Sequence, residues 1–228
     1  AGSAGVQLLL SVQNVAVDNM GAALKKMDYG GGTVYNMKST KKLDPHTPAP
    51  FDFFDQMSRE RLQEWKAGKQ SMERRVWNGR NRSATMERFA SYEECLDHYR
   101  REYEKSINPK IILSTVELVL YKMLNPSRAR DVLNEVRRVI IDEASLLTEA
   151  ALYVIIRRFP YARIVLIGDE KQLPPFMYDK KILGHELAGR PALSVAIKNG
   201  NVPIVELNEV YRAPPTMVAP YNRVAYGG

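Results

Sequence analysis

Short runs of aliphatic residues recur along the chain, and polar residues or glycine bound each run. The runs are Val6–Leu10, Ile111–Leu113, Val139–Ile141 and Ile164–Ile167, and each is typical of a buried strand. Between the last two runs, residues 145–159 have apolar positions that suit a helix and a length that suits a crossover connection. Alternating strands and helices predict an α/β fold, in which helices flank a mostly parallel sheet and ligands bind at the carboxyl ends of the strands.

The segment 44–106 departs from this alternation. It is rich in arginine, contains both tryptophans of the chain, Trp65 and Trp77, and has no aliphatic strand signal. We therefore predict a helical insertion. Its predicted parts are a stiff connector at 44–50, whose prolines exclude regular structure, and helices at 52–69 and 91–105.

The insertion divides the chain into three stretches. Residues 1–43 are predicted to start the α/β domain, residues 44–106 to form the insertion, and residues 107–228 to complete the domain. The basic insertion could lie along a nucleic acid or contact a protein partner, but most charge runs are solvated helix faces. Its role stays open at this stage.

Composition narrows the class of protein. A chain of 228 residues with 45% hydrophobic composition can bury a sizeable core, and a net charge of +7 with a pI of about 9.4 favours polyanionic partners. The single cysteine, Cys95, excludes an intrachain disulfide framework and a cysteine-rich zinc site. No apolar run approaches the roughly 20 residues that span a bilayer. We expect no membrane association and a reducing compartment, the cytosol or the nucleus.

The strongest local candidate for chemistry is the sequence RRVIIDEAS, in which a strand ends in adjacent carboxylates at Asp142 and Glu143. Carboxylate oxygens are hard ligands that Mg²⁺ shares with substrate phosphates, so Asp142 could hold the metal while Glu143 activates a water molecule. Alternatively, the two acids could simply favour the positive end of the dipole of the following helix.

A second strand-end motif follows in ARIVLIGDEKQLPP, residues 162–175. Here Gln172 could donate a hydrogen bond to a terminal phosphate. The alternative is that Gly168 and the pair Pro174–Pro175 are ordinary turn residues, which is plausible for each of them but poor for the whole string.

Three ordered segments, DEAS, GDEKQLPP and LNEVYRAPP, together resemble motifs II, III and IV of superfamily 1 helicases, most closely the RNA-surveillance and senataxin-like branch, superfamily 1B. Two earlier segments, Leu8–Met20 and Ile111–Leu120, resemble motif Ia and the next track-binding motif of that family. The resemblance covers nearly the whole chain. It implies a first RecA-like motor domain that hydrolyses ATP with Mg²⁺ to move on single-stranded RNA or DNA.

The resemblance also implies a role for each matched residue. It implies that Asp142 binds Mg²⁺, that Glu143 is the catalytic base, that Gln172 and Arg212 contact the γ-phosphate, and that Tyr211 stacks on the adenine. A guanidinium suits this role because it delivers two parallel hydrogen bonds to phosphoryl oxygens. Lysine in place of Arg212 would not be equivalent.

The resemblance further implies which residues form the track, the surface that contacts the nucleic-acid strand. They lie in motif Ia and in two segments at the ends of later strands. The residues implied to contact it are Gln13, Asn14, Asn19, Ser114, Thr115, Pro174 and Pro175. Contacts of this kind read the sugar-phosphate backbone and carry no sequence code. The chain departs from the family pattern where Val12–Gln13 replaces a Pro-Ser pair and Ala213–Pro214 replaces a Met-His pair.

The phosphate-binding loop G-x-x-x-x-G-K-S/T does not occur in this sequence, and the glycines at 30–32 are predicted to form a turn. We therefore expect a fragment truncated before motif Ia and after motif IV, whose parent protein carries the loop and a second RecA-like domain. By itself, the chain is expected to hydrolyse little or no ATP. The alternative is a catalytically inactive, helicase-derived module that binds nucleic acid or protein, although such a remnant should have lost some of the four residues at the predicted nucleotide site.

Overall fold

The computed structural model describes residues 5–30, 32–78, 83–124, 132–176, 184 and 189–227. In chain order its strands are β1 (Val6–Ser11), β2 (Val34–Asn36), β3 (Glu73–Asn78), β4 (Ser83–Arg88), β5 (Ile111–Thr115), β6 (Val136–Asp142) and β7 (Arg163–Leu166). Its α-helices are α1 (Asn14–Lys26), α2 (Arg59–Lys66), α3 (Tyr92–Ser106), α4 (Val116–Leu124), α5 (Glu149–Arg158), α6 (Ala192–Asn199) and α7 (Pro215–Tyr221). Within the described ranges, no helix combines the length and the apolar character needed to cross a bilayer.

One sheet of five strands has the order β2-β5-β1-β6-β7, and all its strands lie within residues 1–143 and 153–167. Every neighbouring pair in it is parallel, so the predicted mostly parallel, RecA-like α/β sheet is confirmed. Ser11 lies beside Thr115 on one side and beside Asp142 on the other. The ends of β5, β1 and β6 therefore meet at one edge of the sheet.

The interior of the sheet is apolar because β1, β5, β6 and β7 contain the aliphatic runs of the sequence. All five residues of β5 are buried, and Leu8, Leu10 and Ile141 are completely inaccessible. Each such side chain contributes about 1.5–3 kcal/mol by leaving water. The core of the sheet therefore sets the register that brings polar strand ends together.

Helix α1 packs on the sheet through Val17, which lies in a cluster with Val34, Phe51, Ile111 and Leu113. Its last turn carries Lys25 and Lys26, and positive charge there is favoured by the helix dipole.

The insertion contains two helices, α2 and α3, and between them a hairpin that the sequence did not predict. Helix α3 is confirmed to within one residue of the predicted 91–105, and Ser91 caps it by accepting a hydrogen bond from the amide of Glu94. The helix predicted over 52–69 is restricted to α2, because the Asp52 carboxylate accepts hydrogen bonds from nearby amides and holds that stretch in turns. Strands β3 and β4 pair antiparallel between the two helices.

The insertion has its own apolar core. Six buried residues of the insertion form it together with Leu43, which directly precedes the insertion; the six are Phe53, Phe54, Trp65, Phe89, Cys95 and Leu96. Edge-on ring contacts join Trp65 to Phe53 and Phe54, a geometry that aromatic quadrupoles favour. The connector at 44–50 has no helix or strand, as predicted.

The chain divides into two compact units, residues 1–143 with 153–167, and residues 144–152 with 168–228. The second unit contains α6, α7 and a π-helical turn at Asn222–Tyr226. Within it, Ala192 donates a backbone hydrogen bond to Leu147, and Arg190 forms an ion pair with Glu149. Residues 203–210 form neither helix nor strand and are exposed.

Candidate nucleotide and nucleic-acid site

The acidic pair lies where the sequence predicted it, at the carboxyl end of β6. Asp142 is the last residue of that strand and Glu143 follows it directly. Both side chains are half-buried. The pair is thus held by a central strand of the sheet, with β1 on one side of it and β7 on the other.

Glu143 adopts a backbone conformation that residues with a side chain rarely take. Its φ is +55°, in the left-handed region that costs such a residue roughly 1–2 kcal/mol. Backbone strain of this kind clusters at active sites, where the surrounding structure maintains it. The strained turn at the predicted catalytic base is therefore a structural feature that supports a functional site, and no pattern in the sequence indicated it.

The residues after Glu143 form a tight, buried turn. A 3-10 turn spans Ala144–Leu146, and Ala144 and Ser145 are buried. The Ser145 hydroxyl is a buried polar atom for which the described part of the chain supplies no hydrogen-bond partner. Gly168 belongs to the same compact unit, and a Cβ atom there would lie 3.0 Å from the backbone nitrogens of Ala144 and Ser145. Glycine is required at 168 because two backbone segments approach closely.

Gln172, the predicted γ-phosphate contact, is exposed and belongs to a small network around Asp169. The Asp169 carboxylate accepts hydrogen bonds from the amide of Lys171 at 2.9 Å, from the Gln172 side chain at 3.4 Å and from the Tyr226 hydroxyl. Burial opposes ionisation of Asp169, but these hydrogen bonds outweigh it and lower the pKa of its carboxyl below the usual value. Asp169 therefore stays charged at neutral pH and orients the Gln172 amide.

Tyr211 and Arg212 lie on an exposed stretch. Tyr211 is 88% exposed, and its hydroxyl donates a hydrogen bond to Glu209. Arg212 and Pro174 are also exposed, whereas Pro175 is buried.

The predicted nucleotide contacts come from both compact units. Asp142 and Glu143 belong to the first unit, and Gln172, Tyr211 and Arg212 belong to the second. A common pocket around one triphosphate stays a prediction.

The motif Ia residues lie at the start of α1, directly after β1. Gln13 is the N-cap of that helix and its side chain makes no capping hydrogen bond. Gln13, Asn14 and Asn19 are all exposed. Since the first amides of a helix are ready-made donors to anions, this helix start can meet a phosphate.

Ser114 and Thr115 end β5 beside the end of β1, but both hydroxyls have partners inside the protein. Ser114 is fully buried and its hydroxyl donates to the carbonyl of Met37 at 3.4 Å. The Thr115 hydroxyl accepts a hydrogen bond from the amide of Leu118 at 3.3 Å and so caps α4. Their predicted track contacts would therefore use other groups of this segment, or require these bonds to break.

A buried polar network that sequence reasoning missed supports α1. The Lys38 ammonium lies 2.8 Å from the Asp18 carboxylate of α1, and the Asn36 amide donates to Asp18 and to the carbonyl of Pro50, at 3.1 Å in each case. Lys38 and Asn36 are both buried. Buried ion pairs hold one geometry because breaking them leaves an uncompensated charge.

The fold is an α/β domain with a parallel sheet, a class in which ligands bind at the carboxyl ends of the strands, where Asp142 lies. The chain belongs to the family described as an AAA domain, whose profile matches residues 38–180.

Two relatives carry helicase names. An uncharacterized ATP-dependent helicase of Caenorhabditis elegans is 33% identical over 101 residues, which is 43% of this chain and 6% of that protein. The 5'-3' DNA helicase ZGRF1 of Mus musculus is 34% identical over 95 residues, which is 40% of this chain and 5% of that protein. The match thus spans about one-twentieth of the length of these relatives, and it supports a helicase-type motor domain.

Proposed function

We propose that this chain is part of the motor domain of an ATP-dependent superfamily 1 helicase or translocase of the 1B branch, acting on single-stranded nucleic acid. We favour RNA slightly over DNA and expect the protein to act in the cytosol or nucleus. The observation that carries the proposal is the register of three strands, whose ends place Thr115, Ser11 and Asp142 side by side. A candidate track segment and a candidate nucleotide ligand therefore share one sheet edge, where nucleotides bind in α/β folds.

The donor set at the end of β6 fits a Mg²⁺–ATP complex. Asp142 would supply the hard oxygen that Mg²⁺ takes from protein, and phosphates and water commonly supply the rest. The metal would neutralise charge on the phosphates. Glu143, held in its strained turn, would accept a proton from the attacking water, while Gln172 and Arg212 would stabilise charge on the γ-phosphate and Tyr211 would stack on the base.

Strand β7 lies at one edge of the sheet, and its exposed apolar residues support the proposal that a further strand pairs with it. Among the described strands, β7 is paired only with β6. Val165 on β7 is 44% exposed and Ile167, just after it, is 43% exposed, although an unprotected apolar edge is a liability in a native sheet. We propose that the strand leading into a G-x-x-x-x-G-K-S/T loop covers this edge in the parent protein, and that a second RecA-like domain completes the cleft.

The track side is expected to bind without sequence preference. The exposed start of α1 offers uncapped amides together with the side chains of Gln13, Asn14 and Asn19, and such groups contact the sugar-phosphate backbone. Binding should therefore depend on phosphate charge and strand flexibility rather than on base identity.

Binding to short fluorescein-labelled oligouridylate and oligothymidylate, followed by fluorescence anisotropy, tests the track proposal on the purified chain. We expect the affinity to fall steeply as salt rises from about 50 to about 200 mM, since phosphate contacts release counterions. Mixed-sequence strands should bind equally well, and a duplex of the same length should bind more weakly. A flat response to salt would contradict the proposal.

Nucleotide chemistry is tested in a protein that contains this chain together with the phosphate-binding loop. Glu143→Gln should reduce ATP turnover by about 10²- to 10⁴-fold, the usual contribution of a general base, and leave binding of single strands intact. Glu102→Gln, at an exposed acid of α3 outside the proposed nucleotide site, is the matched control and should leave turnover unchanged. Equal turnover in the Glu143→Gln variant and the wild type would refute the catalytic assignment, and binding without turnover in the wild type would favour the inactive-module alternative.

A further inference from the structure

A buried ion cluster in α3 is centred on Glu104. The Glu104 side chain is only 9% exposed, and its carboxylate accepts a hydrogen bond from the Arg100 guanidinium at 2.6 Å. Arg100 also donates to Asp97, at 2.5 Å. The cluster therefore concentrates charge inside the protein, on a helix of the insertion.

Glu104 also contacts two elements outside the insertion. The Tyr35 hydroxyl of β2 donates to one of its carboxylate oxygens at 2.9 Å, and the Lys122 ammonium of α4 lies 2.9 Å from the other. Burial and the nearby Glu104 raise the pKa of Tyr35 well above its usual value, so the phenol remains a hydrogen-bond donor. One carboxylate thus links the insertion to the edge of the sheet and to α4.

Helix α4 is continuous with the segment that is predicted to hold nucleic acid. It starts at Val116, directly after Ser114 and Thr115, and Thr115 caps it. The Ser114 hydroxyl is held in turn by Met37, one residue beyond β2. Both ends of this track segment are therefore anchored to elements that Glu104 touches.

Stability alone does not account for such a cluster. Removing a carboxylate or a guanidinium from water costs several kcal/mol, and well-packed apolar residues of similar volume are often as stable or more stable. The Arg100 Nε atom is in fact buried without a hydrogen-bond partner among the described residues. What a buried ion cluster supplies is one defined geometry, because a shifted helix would leave a charge unpaired.

We propose that Glu104 is a positioning residue, which holds α4 and the Ser114–Thr115 segment in the geometry that binds single-stranded nucleic acid. The inference rests on the proposed function, since it concerns the same track. It assigns to the insertion a role in aligning the binding surface.

Removing one negative charge from α3 distinguishes positioning by Glu104 from a long-range effect of charge on binding, because the two predict opposite changes in affinity. Glu104→Gln and Glu102→Gln each remove one negative charge from α3, and Glu102 is a matched control because its side chain is 53% exposed and paired only with Lys105 among the described ion pairs. Long-range electrostatics predicts that both variants bind oligouridylate slightly more tightly. Positioning predicts that Glu104→Gln alone binds about tenfold more weakly, within the range of couplings between contacting groups.

A second pair of variants separates positioning from direct contact with phosphate. Lys122→Met removes the α4 ammonium that pairs with Glu104, and Lys105→Met removes an equal charge from the exposed pair with Glu102. We expect Lys122→Met to weaken binding while the salt slope stays unchanged, whereas loss of a phosphate contact would lower that slope by about 1. Lys122→Arg should restore the affinity. An affinity of Lys122→Met equal to that of Lys105→Met, or a lowered salt slope, would overturn the proposal.

Hydrogen exchange of the free protein provides a readout that does not require nucleic acid. The amides of residues 111–118 should exchange faster in Glu104→Gln than in Glu102→Gln, and unchanged exchange would overturn the inference. If the wild type binds no oligonucleotide at any salt concentration, the proposed function fails while the exchange comparison still decides the positioning role. If circular dichroism shows that Glu104→Gln is unfolded, the Lys122 variants decide it.

Discussion

The strained turn at Glu143 leads to a stability difference that can be measured without any ligand. Its φ of +55° places the residue in the left-handed region, where the Cβ atom lies too close to the following carbonyl oxygen. Glycine has no Cβ atom and adopts this region freely. Glu143→Gly and Glu143→Ala both remove the carboxylate, so the difference between these two variants isolates the backbone strain.

The expected magnitude follows from two opposing terms. Alanine keeps the strain of roughly 1–2 kcal/mol, and glycine loses it but gives up roughly 0.5–1 kcal/mol through the greater freedom of its unfolded chain. Glu143→Gly should therefore be more stable than Glu143→Ala by up to about 1.5 kcal/mol, with a mid-range difference of about 0.75 kcal/mol. For a chain of this size the melting temperature would differ by about 2 °C.

Urea denaturation followed by circular dichroism measures this difference as a change in midpoint at constant slope. The control is Glu102, an exposed residue in the interior of α3, where alanine should be more stable than glycine by about 1 kcal/mol because the helix is regular there. The two sites should thus give opposite signs. If Glu143→Gly were less stable than Glu143→Ala, the strained backbone would be refuted.

Three further single substitutions test how the fold is stabilised. Gly168→Ala places a Cβ atom 3.0 Å from two backbone nitrogens and should lower the free energy of unfolding by about 1–3 kcal/mol, whereas Gly30→Ala meets no atom within 4 Å and should change it by less than about 0.5 kcal/mol. Burial opposes ionisation of Asp97, but the hydrogen bond and the charge of Arg100 outweigh burial and lower the pKa of the Asp97 carboxyl below the usual 3.8. The ionised carboxylate therefore stabilises the fold above pH 3.8. This contribution is lost as the pH falls through the lowered pKa. In urea titrations between about pH 2 and 6, Asp97→Asn should flatten the acid limb, and an unchanged limb would count against the ion pair. Leu8→Ala, at a fully buried residue of β1, should cost about 2–5 kcal/mol, and a cost below 1 kcal/mol by the same assay would contradict the central placement of that strand.

The sequence predicted the strands that contain a continuous run of aliphatic residues. Residues 139–141 mark β6 because a parallel strand buried on both sides needs a continuous apolar run. Strand β2 has only three residues, Val34–Asn36, too few to form such a run. The hairpin was missed for a different reason: exposed and half-buried positions alternate over residues 73–76 of β3, and three of these four residues are charged, so the aliphatic pattern is absent there.

The residues of the candidate site likewise include some that a local sequence pattern predicts and some that it does not. Asp142 could be placed at a strand end because the end of an aliphatic run marks the carboxyl edge of a parallel sheet. The left-handed turn at Glu143 could not, because it depends on the path of the chain after the strand. The partner of Glu104 on β2 is 69 residues away along the chain, and no local pattern encodes a contact between such distant positions.

Glu143→Gln is the variant that tests the chemistry of the site most cleanly, because the apolar core of the sheet outweighs the backbone strain at Glu143. Leu8, Leu10 and Ile141 are fully buried in β1 and β6, and each contributes about 1.5–3 kcal/mol, so their burial together exceeds the roughly 1–2 kcal/mol stored at Glu143. The sheet therefore maintains the left-handed turn whichever side chain stands at 143. Glu143→Gln keeps a side chain of the same size in that turn and removes only the charge, whereas Glu143→Gly also relaxes the backbone. Loss of ATP turnover in the glutamine variant can thus be attributed to the carboxylate, and the glycine variant reports what the strained geometry adds.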